Sequence, residues 1–280
     1  MRRSPVGAAV FIRSAAFNLA FYLMTAACLI LPLPVYFILP QGFAMWVVRT
    51  WAKIGLFLLR AIAGTRIEIR GRENLPRGGI LVAAKHQSAL ETFALIPLFA
   101  NPTYVMKRQL RWLPIFGQYT IKAGMIHVDR DGGLSAMRKL TTDTRAAIDA
   151  GREVIIFPEG TRRPPGAPSE YHGGVGHLYR ALKAPVVPLA LNSGLYWPRR
   201  KFMRYPGTVV FEFLPPIPAG LDSRAFLSRL ADVIETASDR LLLEADGASP
   251  RPPFPQSAEA RLALIRKAPS PGEEPLRQPL

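Results

Sequence analysis

The chain has 280 residues, enough for one large hydrophobic core or one core with an appendage. Its 36 Lys and Arg outweigh 20 Asp and Glu, and the net charge of +16 points the surface towards anions: phosphorylated small molecules, anionic lipid or nucleic acid. A single cysteine, Cys28, excludes an intrachain disulfide and any multi-cysteine metal site, and suits a reducing compartment.

Residues 1–63 carry six cations (Arg2, Arg3, Arg13, Arg49, Lys53, Arg60) and no acid. Between Ser14 and Val48 there is no charge at all. That run is long enough to cross a bilayer, and too long, without a small-residue cleavage site, to read as a removed signal peptide. Pro32, Pro34 and Pro40 interrupt it, so a first helix should end near Ile30 or Leu31 and a second run from about Gly42 to Ile62. On a helical wheel Arg49, Lys53 and Arg60 fall in one basic stripe, and Trp46 and Trp51 suit a bilayer interface. Basic clusters before and after the apolar run favour a hairpin that dips into one leaflet and returns. Both clusters then stay on the cytoplasmic face of the inner membrane. A single span and a soluble hairpin are the alternatives.

From Gly64 the pattern changes to short β-rich runs alternating with helical periodicity. Strands are expected at "TRIEIRG", "GGILVAAKH", "TYVMKR", "MIHVDR", "EVIIF", "PVVPLAL" and "TVVFEFL". Helices are expected at "LETFALIPLFA", within "WLPIFGQYTIKAG", over 133–150 with Leu134, Met137, Leu140, Thr144 and Ile148 inward, at "GGVGHLYRALKA", and over 223–245. Such alternation predicts an α/β fold, a mixed sheet flanked by helices, over 64–247. Residues 248–280 hold eight prolines, which predicts a disordered tail with a helical turn or two at Ala258–Lys267.

Three stretches carry chemistry. In "KHQSALE", His86 and Glu91 are five apart, about 140° on a helix, so they meet only if His86 lies in the loop before it. Ser88-Ala-Leu-Glu91 also matches a capping box, which gives Glu91 a purely structural role. The spacing permits either. In "IIFPEGTRR" a buried strand ends at Pro158, Glu159 and Gly160. Gly160 allows close backbone approach, and Arg162 offers a planar fork of donors for phosphate. In "AGMIHVDRDGG", Arg130 closes a strand and could converge on the same anion. His127, His172 and His177 read as packing residues, without the spacing of metal ligands.

In this order "HQSALE", "GMIHVDR", "FPEGTR" and "VVPLAL" resemble the glycerolipid acyltransferase family, in particular the 1-acyl-glycerol-3-phosphate acyltransferases, over roughly residues 64–245. The apolar, basic N-terminus resembles that family's membrane-dipping helical pair. Two departures stand out: Lys85 where the family has Asn, and Glu91 where it has Asp. The resemblance implies acyl transfer from a thioester, acyl-CoA or acyl carrier protein, to a lysophospholipid hydroxyl, with no cofactor. It implies His86 as general base and Glu91 as its orienting acid. Arg130, Glu159, Gly160, Thr161 and Arg162 would hold the acceptor's glycerol phosphate, with Lys107 nearby. Membrane lipid is the expected partner and nucleic acid is not. Another lysolipid, such as lyso-ornithine lipid, would suit the same chemistry, and an inactive lipid-binding protein is the non-enzymatic alternative.

Overall fold

The computed structural model describes residues 7–130 and 132–267. Arg2 and Arg3, and the tail beyond Lys267, lie outside the described residues.

Two long helices open the chain, α1 (Ala8–Ile30) and α3 (Gln41–Leu58), joined through the short α2 (Leu33–Tyr36). Both are long and apolar enough to cross a membrane, α3 being extended by a wide turn to Ala63. The prolines act as expected: α1 stops at Ile30, and the chain reverses between Pro32 and Pro40. One face of the pair is packed. Phe17 is buried and meets Trp197 edge-on at 5.3 Å, and Asn18 Nδ2 donates to the Phe202 carbonyl at 2.9 Å. The other face leaves Leu19, Tyr22, Leu23, Leu31, Ile38 and Phe57 exposed. The basic stripe divides. Lys53 and Arg60 are exposed, whereas Arg49 turns inward and donates to the carbonyls of Phe99 and Ala100, two acceptors the α3 wheel could not reveal.

The body alternates β1 (Thr65–Arg70), β2 (Ile80–Ala84), α4 (Glu91–Ala94), β3 (Thr103–Lys107), α5 (Phe116–Lys122), β4 (Ile126–Val128), α6 (Gly133–Asp149), β5 (Glu153–Ile156), α7 (Gly173–Leu182), β6 (Val186–Leu191), α8 (Ser193–Tyr196), β7 (Gly207–Phe213) and α9 (Ser223–Asp246). The sheet order is β1-β7-β6-β2-β5-β3-β4. It is mixed, because β6 and β7 run antiparallel while β6, β2, β5, β3 and β4 are mutually parallel. Strand alternation sorts side chains into two layers. Val82, Ala84 and Ile155 face the hairpin, while Leu81, Ala83 and Val154 face α6, α7 and α9.

Three expectations need correction. The helix read across "LETFALIPLFA" is one turn, Glu91–Ala94, followed by a 3-10 turn at Ile96–Leu98, because Pro97 cannot continue an α-helix. Leu134 is 77% exposed at the start of α6, one turn before the packed stripe of Met137, Leu140 and Thr144 begins. Residues 248–267 are not a loose tail. A tenth helix, α10 (Gln256–Lys267), buries Ala258 and Leu262 with Leu242 and Ala245 of α9, and Arg261 pairs with Asp239. The prolines lie around that helix rather than within it. Leu262→Ala should therefore cost about 2–5 kcal/mol, read as a lower urea midpoint; an unchanged midpoint would mean α10 is dispensable.

Candidate active site

Because five strands run parallel, their C-terminal ends share one edge of the sheet. That edge receives His86 after β2, Lys107 at the end of β3, Arg130 after β4, Phe157–Arg163 after β5 and Ser193 after β6. The residues singled out in three separate stretches thus meet because of topology.

His86 lies in the loop between β2 and α4, where the spacing argument required it. Its Nδ1 is 2.9 Å from Glu91 Oε1. Glu91 is fully buried, and Oε1 also accepts from the backbone N–H groups of Gln87 (2.7 Å) and Ser88 (2.6 Å). Its second oxygen accepts from Ser193 Oγ at 2.7 Å. One carboxylate thus makes both contacts, reaching back to the Ser88 N–H and meeting the imidazole. Four donors around one carboxylate fix its position. With Nδ1–H donating to Glu91, Nε2 keeps its lone pair for chemistry. The imidazole stacks on Phe157, with ring centroids 4.0 Å apart. Beneath the site Tyr104 is buried, and desolvation, with the nearby Glu91 charge adding, pushes its phenol well above the usual range and keeps it neutral.

The main chain of His86 is held from both sides by "FPEGTRR". Its N–H donates to Glu159 Oε2 at 3.0 Å, and its carbonyl accepts from the Arg163 N–H at 2.8 Å. This corrects the role expected of Glu159. The side chain is fully buried and turned towards the histidine loop, with Oε1 accepting from Lys85 Nζ at 3.0 Å, so it is not a face presented to an acceptor. Lys85 also meets Glu235 of α9 at 2.6 Å, and the Tyr171 hydroxyl donates to the same oxygen. Burial, and then the Glu235 charge, raise the Tyr171 phenol far above its usual range, so it stays a donor.

Gly160 has φ +61, and a Cβ there would sit 2.9 Å from both Arg130 Nη1 and His172 Cδ2. Only glycine fits that backbone without strain. Its carbonyl accepts from Arg130 Nη1 at 2.6 Å, which aims the guanidinium across the sheet edge. His86, Lys107, Arg130, Gly160, Thr161 and Arg162 all line one cavity of about 530 Å³. Arg199 and Arg200 line it too, giving, among the described residues, five cations and no carboxylate in its wall. The far end is apolar and borders the hairpin at Cys28, Leu29, Val47 and Val48.

Sequence reading missed Ser193 and Glu235 as members of this arrangement, and gave Lys85 and Arg163 no part in holding His86. Ser193 had one available signal, its position just past the end of "VVPLAL"; the Lys85–Glu235 contact spans 150 residues and had none.

Residues 66–192 match the family model described as Acyltransferase. Over 164 residues the chain is 37% identical to the 1-acyl-sn-glycerol-3-phosphate acyltransferase of Pseudomonas aeruginosa, covering 59% of this chain and 64% of the relative. Over 169 residues it is 27% identical to the human 1-acyl-sn-glycerol-3-phosphate acyltransferase alpha, covering 59% of this chain and 60% of the relative. The chain thus spans about three fifths of the length of these curated relatives. In fold it matches the crystal structure of the 1-acyl-sn-glycerophosphate (LPA) acyltransferase PlsC from Thermotoga maritima, with a TM-score of 0.67 at 18% identity over 82% of this chain and 97% of that one. Residues 66–192 thus match the acyltransferase family model, and this part of the chain is similar to 1-acyl-sn-glycerol-3-phosphate acyltransferases.

Proposed function

We propose that the protein transfers a fatty acyl group from an acyl thioester to the free hydroxyl of 1-acyl-glycerol-3-phosphate, forming phosphatidic acid. One observation carries this reading: the oriented imidazole opens into a single cavity whose wall is cationic beside it and apolar towards the hairpin. A phosphate and an acyl chain on one small molecule match those two ends. The names of the curated relatives point to the same substrate.

In this mechanism His86 Nε2 takes the proton of the acceptor hydroxyl as its oxygen attacks the thioester carbonyl. The new C–O bond forms, the C–S bond breaks, and the proton passes from His86 to the departing thiolate. Glu91 offsets the transient imidazolium charge. Arg130 and Arg162 take the acceptor phosphate through paired N–H donors, Lys107 adds a point charge, and Gly160 and Thr161 shape the approach. Coenzyme A and acyl carrier protein both present such a thioester.

The hairpin seats the enzyme on one leaflet of a cytoplasmic membrane, so the acceptor enters sideways and its chain avoids water at about 0.8 kcal/mol per CH₂. The test is a panel of lysolipid acceptors with one labelled acyl thioester. Transfer to 1-acyl-glycerol-3-phosphate is expected to dominate. Robust transfer to an acceptor without phosphate, such as lyso-ornithine lipid, with none to lysophosphatidic acid, would overturn it.

A further inference from the structure

Outside the hairpin, the surface between β3 and α5 is both apolar and exposed. Between β3 and α5 the chain makes a 3-10 turn, Arg108–Trp112, and a corner at Leu113-Pro114-Ile115. Trp112 is 75% exposed and Leu113 48%, and Phe116 and Ile121 of α5 are also open to solvent. Folding buries none of these groups well, although α5 has core available beside it. Ile115 has φ +61, a conformation that costs a β-branched residue about 1–3 kcal/mol, at the corner joining the two exposed groups.

This surface is continuous with the turn of the hairpin. Tyr119 of α5 stacks on Tyr36 of α2 at 3.8 Å, and its hydroxyl donates to the Leu29 carbonyl at 2.9 Å. Lys122 Nζ donates to the Tyr36 carbonyl. Ile115, Tyr119, Tyr36, Ala44 and Val47 form a small core of their own, separate from the two main layers. Leu31, Phe37 and Ile38 stand exposed beside it. Charge agrees: residues 107–122 contain Lys107, Arg108, Arg111 and Lys122 and no acid. Arg108 is paired to Asp129 at 2.8 Å, and Arg111 is exposed. A tryptophan and a leucine among exposed cations are the composition of an element lying in the headgroup–acyl boundary of an anionic bilayer. Leu110, Phe116 and Tyr119 also line the active-site cavity, opposite Cys28 and Leu29 of α1.

We propose that Arg108–Lys122 is a second membrane-contacting element. It seats Trp112 and Leu113 about 5–10 Å into the leaflet beside the hairpin turn, so that the gap between α1 and α5 is the lipid entrance. This inference rests on the membrane seat of the hairpin, and its test separates the two. Full-length protein in a Cys28→Ser background, carrying Leu113→Cys, Leu31→Cys or Leu221→Cys, is labelled with an environment-sensitive fluorophore. Each is bound to vesicles of phosphatidylglycerol and phosphatidylcholine containing lipid spin-labelled near the headgroup. Leu221 precedes α9 on the opposite layer and serves as the solvent reference. Labels at positions 31 and 113 should be quenched several-fold more than the label at 221. Quenching at 31 with position 113 no different from 221 would overturn the second contact and leave the hairpin seated. Equal, weak quenching at all three would overturn both.

Discussion

Replacing His86 with alanine should lower the acyl-transfer rate by about 10²–10⁴-fold while leaving the acceptor KM nearly unchanged. The split follows from the geometry. Acceptor binding falls to the five cations of the cavity wall and to its apolar end, none of which His86 supports. The imidazole supplies only the site for the hydroxyl proton. Steady-state kinetics on the purified variant, with short-chain acceptor in detergent, gives the answer. A large rise in KM at unchanged kcat would make His86 a headgroup ligand and remove the proposed base. Glu91→Asp is the companion variant. The Glu91 carboxylate reaches Ser193 with one oxygen and His86, Gln87 and Ser88 with the other. Shortened by one methylene, it cannot span both sides without moving the loop. Turnover should fall, by less than for His86→Ala.

That same comparison explains why Glu91 could not be assigned from sequence alone. A capping box and an acid–imidazole pair make the same demand on the chain, a carboxylate in the first helical turn reaching back to the preceding loop. Here one oxygen serves both, so neither reading excluded the other. Local periodicity was legible wherever the partner lay within the same element. The buried runs became the central strands β2, β5 and β6, and the stripe of α9 put Phe226, Leu230 and Leu241 in the core. It failed where a distant element decided the outcome. Arg49 found carbonyls after α4, the α10 segment found a groove on α9, and Glu159 found Lys85. Arg130 and Arg162 come to one cavity because strand ends in a parallel sheet converge whatever their separation in the chain. Glu159 was misread because a motif names residues without saying which way each one faces.

The second large effect concerns Lys85, which stands where the resembled family carries an uncharged asparagine. Its side chain is only 3% exposed, and the ammonium bridges Glu159 of the β5 loop and Glu235 of α9. A buried cation between two carboxylates adds little net stability, yet removing one member leaves an uncompensated charge at a cost of about 3–5 kcal/mol. Lys85→Met should therefore destabilise the protein by about that amount. It should also slow turnover, because the stranded Glu159 carboxylate is the acceptor that holds the His86 N–H. Glu159→Gln removes the charge and keeps an oxygen for that N–H, while Lys85 retains Glu235. The double variant Lys85→Met/Glu159→Gln should then be more stable than Lys85→Met alone and regain part of its turnover. Glu235, which is 27% exposed and bonded to the Tyr171 hydroxyl, can keep its charge in contact with water. Denaturant midpoints and kcat for the three variants complete the cycle. A double variant worse than Lys85→Met in both readouts would show that Lys85 does not act as the countercharge of Glu159. The asparagine-to-lysine departure would then have no bearing on how the histidine is held.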